Sequence, residues 1–188
     1  MQLSIVLKEY KKTSPCPFVL LVFSDYYTGE IYYNDKNIKE LDMYDIRKKI
    51  IGVSQQEPKL INGSLFNNVT YGVSNYKYEE IEEVLNKLTL DGKTFSKGLE
   101  TSIEEDSKNI SGGEKLKISL PRVILKKPDV VILDEPTSAL DSSSILQLKS
   151  LIMQMKNDKI TIIVTHDYEF LDIADEVIDL NHQLKKNK

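Results

Sequence analysis

A chain of 188 residues with 25 Lys and Arg against 29 Asp and Glu, net charge −4, is long enough for one domain with a sizeable core and carries no electrostatic footprint for nucleic acid. Its single cysteine, Cys16, excludes an internal disulfide, and with only His166 and His182 as imidazoles there is little basis for a Cys/His metal site. The longest wholly apolar run, Phe18 to Phe23, is far short of the ~18 residues that suggest a membrane-spanning helix, and no cationic, cleavable leader opens the chain, so a cytoplasmic address is expected.

In chain order, the stretch KKTSPCPFVLLVF (residues 11 to 23) has no glycine and two prolines. Tyr78 to Leu88 reads as an acidic amphipathic helix with Ile81, Val84, Leu85 and Leu88 inward, followed by the loop-rich Asp91 to Asn109. This middle third is read as a helical subdomain inserted in an α/β framework. In ISGGE (110 to 114), Ser111 and Glu114 have capping-box spacing, so a helix starts here. Two glycines in its first turn open the backbone to close approach; exposed amides and the helix dipole make an anion site, the plain alternative being an ordinary cap. Pro121 then falls inside that helix, at a cost of roughly 3 kcal/mol, and predicts a kink.

Val130 to Leu133 is a continuous apolar, β-branched run closed by Asp134, Glu135 and Pro136, the pattern of a strand buried on both faces. Two consecutive carboxylates at its tip suit metal binding and water activation, or else a solvated acidic turn. Asp141 can cap the next helix, Ser142 to Lys156, with Ile145, Leu148, Ile152 and Met155 along one face. Ile160 to Val164 follows as a second apolar strand, then Tyr168 to Ala174 as a short helix and Glu176 to Leu180 as a last strand. Strand, helix, strand is a right-handed βαβ unit in a parallel sheet, whose ligands sit at the carboxyl ends of the strands, where Asp134, Glu135 and His166 fall.

With these motifs in order the sequence resembles the nucleotide-binding domain of ABC transporters from about Tyr26 to Leu180. TGEIYYNDKNI (28 to 38) resembles that family's strand pair, IGVSQQEPKLINGSLFNNV (51 to 69) its Q-loop segment, and ISGGE its signature motif. VVILDEPTSALD (130 to 141) resembles Walker B running into the D-loop, and TIIVTH (161 to 166) the switch-histidine strand. The Q-loop and D-loop segments are closest to exporter-type cassettes. The resemblance implies a P-loop NTPase-like α/β fold, a parallel sheet flanked by helices: one incomplete nucleotide-binding domain over residues 1 to 188, with residues 70 to 125 as its α-helical signature subdomain.

The resemblance also assigns roles. Gln56, with Gln55 as the rival register, senses Mg²⁺ and water and couples to the membrane subunit. Ser111, Gly112, Gly113 and Glu114 face ATP bound to the opposite protomer; Asp134 supports Mg²⁺, Glu135 is the general base, Asp141 with Ser138 crosses the dimer interface, and His166 steadies the γ-phosphate. ATP and Mg²⁺ are the implied cofactors. The partners are a transmembrane subunit and a second cassette, the same or different, with no nucleic acid, at the inner face of the cell membrane.

The sequence departs from the family at its phosphate loop. Nowhere does Gly, four residues, Gly, Lys, then Ser or Thr occur. The register that best fits the family puts Val6 and Lys11 at the glycine positions, Lys12 and Thr13 at the end of the loop, and Phe18 to Phe23 on the helix that follows; DGKT (91 to 94) lacks the first glycine, its position holding Lys87. The chain also starts too late for the family's early antiparallel strands. The expectation is an N-terminally truncated cassette without a recognisable Walker A. Its alternative role is that of a non-hydrolytic partner to an intact ATPase subunit. The segment between Q-loop and signature has no heptads, which disfavours the chromosome-maintenance ATPases.

Overall fold

A computed structural model describes residues 3–10, 27–71, 73, 76–88, 97–104, 110–156 and 158–178. The central sheet is parallel, in the order β4-β7-β8, from Ile51–Ser54 (β4), Val130–Asp134 (β7) and Ile160–Val164 (β8). Its register pairs Ser54 with Leu133 and Asp134 with Val164, so the three strands end side by side. Alternate residues of β7 serve opposite faces. Val130 and Ile132 pack with Ile31, Tyr33, Ile38 and Ile51. Val131 and Leu133 pack with the helices on the other side. Burial on both faces is what the unbroken apolar run in β7 anticipates.

Leu3–Tyr10 (β1), Tyr27–Tyr33 (β2) and Lys36–Asn37 (β3) form an antiparallel sheet in that order. The strand pair expected over 28 to 38 is present, but the expected lack of an early antiparallel strand is overturned. Residues 3–10 pair with β2 from Leu3↔Tyr33 to Tyr10↔Tyr27, with a bulge between Leu7 and Glu9. LSIVLKEY is rich in β-branched and aliphatic residues, and once paired it is a strand. A phosphate-loop register running back to Val6 therefore fails. Residues 11 to 13 and 18 to 23, and DGKT, lie outside the described residues.

Five α-helices are described: Met43–Lys49 (α1), Leu65–Val69 (α2), Tyr78–Lys87 (α3), Gly112–Leu125 (α4) and Ser142–Met155 (α5). A short ladder of Gly63–Ser64 (β5) with Ser102–Ile103 (β6) closes the loop region. On α3, Ile81 and Leu85 are buried, Leu88 just beyond it is too, and Val84 is half-buried against the core. On α5, Leu148 and Ile152 are buried as the spacing predicts, while Ile145 and Met155 are half-buried and Leu151 takes a core place. α4 continues through Pro121, which is buried, although its ring removes the amide that would bond the Lys117 carbonyl.

Two expectations near the C-terminal end fail. Tyr168 to Ala174 forms successive turns, closed by Leu171 N–H to Tyr168 O and Ile173 N–H to Phe170 O, rather than a helix. Only Phe170 there is buried, too little apolar contact to stabilise a short helix. Residues 176 to 178 are exposed and in no strand, and 179 and 180 lie outside the described residues.

Candidate functional site

The carboxyl end of β7 turns sharply. Glu135 has φ +46°, a left-handed conformation uncommon for a side-chain-bearing residue, and its N–H donates to Val164 O at 2.8 Å, which binds the turn to β8. Its carboxylate is largely covered, with the side chain 17% exposed. Oε2 accepts from the Thr165 hydroxyl at 3.3 Å, and Oε1 lies 3.7 Å from Nε2 of His166, whose side chain is 98% exposed. Glu135 and His166, both expected at strand ends, thus lie side by side, and Thr165 joins them.

Asp134 lies on the strand beside them. Burial, and then the negative charge of Glu135, push its carboxyl above the ordinary aspartate range. Two adjacent acids at a strand end repel one another and gain from a shared cation. Gln55 and Gln56 leave β4 on the neighbouring strand, both exposed.

Beyond Glu135 the chain folds on itself, the Ser138 N–H and hydroxyl both donating to Glu135 O at 3.2 and 3.0 Å. Asp141 then caps α5: its carboxylate accepts from the Ser143 hydroxyl at 2.7 Å, the Ser144 N–H at 2.9 Å and the Ser144 hydroxyl at 3.1 Å. These bonds, with Lys117 at 3.6 Å, hold its carboxyl far below the usual range.

The α4 start is a full capping box. Glu114 N–H donates to Ser111 Oγ at 3.3 Å and Ser111 N–H to Glu114 Oε2 at 2.8 Å. Ser111 and Gly112 are exposed. Gly113 is packed: a methyl there would collide with the Ala139 carbonyl oxygen, whereas one at Gly112 would meet only Ala139 Cβ, at 3.8 Å. The close approach expected of these glycines is made, at Gly113, by the chain's own 135 to 141 turn. Among the described residues no hydrogen bond or ion pair joins residues 111 to 114 to Glu135 or His166, so the expected residues fall into two clusters.

Sequence reasoning missed a third group. Asn68, fully buried, accepts from Ile61 N–H at 2.8 Å and donates to Ile61 O at 2.8 Å and Ser64 O at 3.1 Å. Arg122 donates to Asn68 O at 2.9 Å and Lys59 O at 3.2 Å and lies 5.3 Å from the Tyr71 ring centre. Together they hold the loop after Gln56. A cavity of about 450 Å³ beside that loop is lined by Arg47, Gln55, Lys59, Tyr71, Arg122 and Lys126, among others. Lys126 donates to the carbonyls of Arg47 and Ile51. No local pattern signals such a tertiary clamp, because Asn68 and Arg122 stand 54 residues apart in sequence.

Known proteins match this arrangement. A family model described as ABC transporter matches residues 18–138. ABC transporter B family member 2 of Dictyostelium discoideum is 32% identical over 157 residues, 82% of this chain and 11% of that protein. The ATP-dependent lipid A-core flippase 1 of Colwellia psychrerythraea (strain 34H / ATCC BAA-681) is 32% identical over 178 residues, 94% of this chain and 29% of that protein. The chain thus spans about a tenth to under a third of the length of these relatives. A solved bacterial Atm1-family ABC exporter with ATP bound superposes with TM-score 0.75 and 24% identity, over 85% of this chain and 28% of that one, a likeness of fold.

Proposed function

Since this chain belongs to the ABC transporter family, we propose that it is an exporter-type ATP-binding cassette, coupling ATP binding and hydrolysis to transport through a transmembrane partner and a second cassette. The observation that carries the reading is the covered Glu135 carboxylate, set by a left-handed turn against Thr165 and His166 at the ends of two parallel strands. In this reading Glu135 takes a proton from the attacking water and His166 steadies the terminal phosphate. The mutual repulsion of Asp134 and Glu135 fits a Mg²⁺ ion held chiefly by Asp134, with Gln56 nearby; bound there, Mg²⁺ neutralises phosphate charge.

Ser111, Gly112, Gly113 and Glu114 belong to the other half of a composite site. They form a separate cluster, as expected if they act on nucleotide held by a second protomer, with Ser138 and Asp141 at the junction. Residues 70 to 125 then form the signature subdomain, and the chain works at the inner face of a membrane. No helix among the described residues is long and apolar enough to cross one.

A second reading is favoured by one sequence fact: the phosphate-loop consensus is absent. A cassette without it lacks a cradle of backbone amides and the lysine for the β- and γ-phosphates, and serves a complete partner by lending residues 111 to 114. Equilibrium binding of ATP with Mg²⁺ to the isolated chain, and turnover with and without Glu135→Gln, separate the two. The second reading expects no saturable binding and no turnover. Mg²⁺-dependent hydrolysis abolished by Glu135→Gln would overturn it and establish the first, a competent ATPase.

A further inference from the structure

Gly113 and Lys117 lie one turn apart on α4 and share a face. Both meet the segment between β7 and α5. Gly113 has no room for a methyl against the Ala139 carbonyl, and the Lys117 ammonium lies 3.6 Å from Oδ2 of Asp141. The Lys117 side chain is only 17% exposed, so its stem is packed and its charge is aimed rather than waving in solvent. Its target is fixed as well. Asp141 is held by the Ser143 hydroxyl and by both the amide and hydroxyl of Ser144 at the start of α5, although its outer side is 63% exposed.

The first turns of α4 need such an anchor. Pro121 removes the amide that would bond the Lys117 carbonyl, so the helix ladder is weakest between its first turns and the buried remainder. A contact from outside the helix, at Lys117 itself, offsets that loss.

We propose that Lys117 is a positioning residue that clasps residues 137 to 141 to the start of α4 within one chain, so that both segments meet a second protomer as a single pre-set surface. Only the last clause rests on the cassette reading. The clasp itself is a property of the single chain.

Hydrogen exchange of the isolated chain without nucleotide tests it. The Leu140 N–H donates to Thr137 O and the Ile145 N–H to Asp141 O, so their exchange reports the order of this segment. Lys117→Met is expected to speed exchange at both by about two- to fivefold, the range of one ion pair, leaving Val131 to Leu133 unchanged. Lys117→Arg should restore the wild-type rates, and Lys117→Gln, which is polar but uncharged, should behave as Lys117→Met and serves if that variant does not fold. In an Asp141→Asn background, which keeps a capping oxygen, Lys117→Met should add nothing further. Unchanged exchange in both uncharged variants, or an equal increase in the Asp141→Asn background, would overturn the clasp. Since neither ATP nor a second protomer enters the measurement, such a failure would leave the cassette reading intact, and a chain that binds no ATP would leave the clasp intact.

Discussion

The hydroxyls of Ser54 and Ser119 meet 3.1 Å apart in the core, joining the last residue of β4 to the middle of α4. Ser54 stands immediately before Gln55 and Gln56, and Ser119 also donates to Leu116 O one turn back. Ser119→Ala removes one partner and leaves the buried Ser54 hydroxyl short of a bond, at a cost of about 1–3 kcal/mol. Replacing both by alanine should cost less than the sum of the single changes, because no polar group is then stranded. Urea unfolding of the two single variants and the double checks this; strictly additive costs would show that the two hydroxyls do not interact.

Gly113 and Gly112 give a second contrast, as neighbours of the same type in different surroundings. Neither is among the residues with positive φ, so any cost of alanine is steric. At Gly113 the new methyl meets backbone, the Ala139 carbonyl, which no side-chain rotation relieves. Overpacking of this kind costs about 1–3 kcal/mol. At Gly112 the nearest atom is a methyl at ordinary contact distance, and the change should stay within about 0.5 kcal/mol. Thermal unfolding of both variants distinguishes them, and equal stability would remove the basis for the packed junction between α4 and the 135 to 141 turn.

What the sequence revealed of this junction was local chemistry. The Ser111 and Glu114 box is legible because capping depends on residues three apart. β7 is legible because a strand buried on both faces has no polar residue to hide. The contact of Gly113 with Ala139 and the clamp of Arg122 on Asn68 are not, since they join residues far apart in sequence through backbone oxygens that every residue carries. The turns at 168 to 174 misled for the opposite reason: the local pattern suits a helix, but only Phe170 is buried, with Ile173 partly buried against the same core.

Arg122→Lys tests the clamp. Lysine keeps the charge but loses the planar fork that reaches Asn68 O and Lys59 O together and lies against Tyr71. The expected loss is about 2 kcal/mol, or roughly 4–8 °C in Tm for a chain of this size. Limited proteolysis should also show faster cutting between residues 55 and 62. A variant as stable and as resistant as the parent would mean that the guanidinium contributes only charge.

Tyr33 supplies the last prediction, from the face of the sheet away from α4. Its ring is buried among Ile31, Ile38, Ile51 and Val130, and its hydroxyl has no hydrogen-bond partner among the described residues. Burial pushes its pKa up to about 12. Between the ordinary tyrosine value of about 10 and that figure, the unfolded chain releases this proton while the folded chain keeps it. The folded state then binds more protons, so Tyr33 makes stability fall as the pH rises through this window. Tyr33→Phe abolishes the effect and relieves an unpaired polar atom, so it should be neutral to stabilising at neutral pH. Its advantage over the parent should grow by about 1 kcal/mol between about pH 9 and pH 11 in chemical denaturation. Parallel curves for the two proteins would mean that the hydroxyl reaches solvent or a partner in the folded chain.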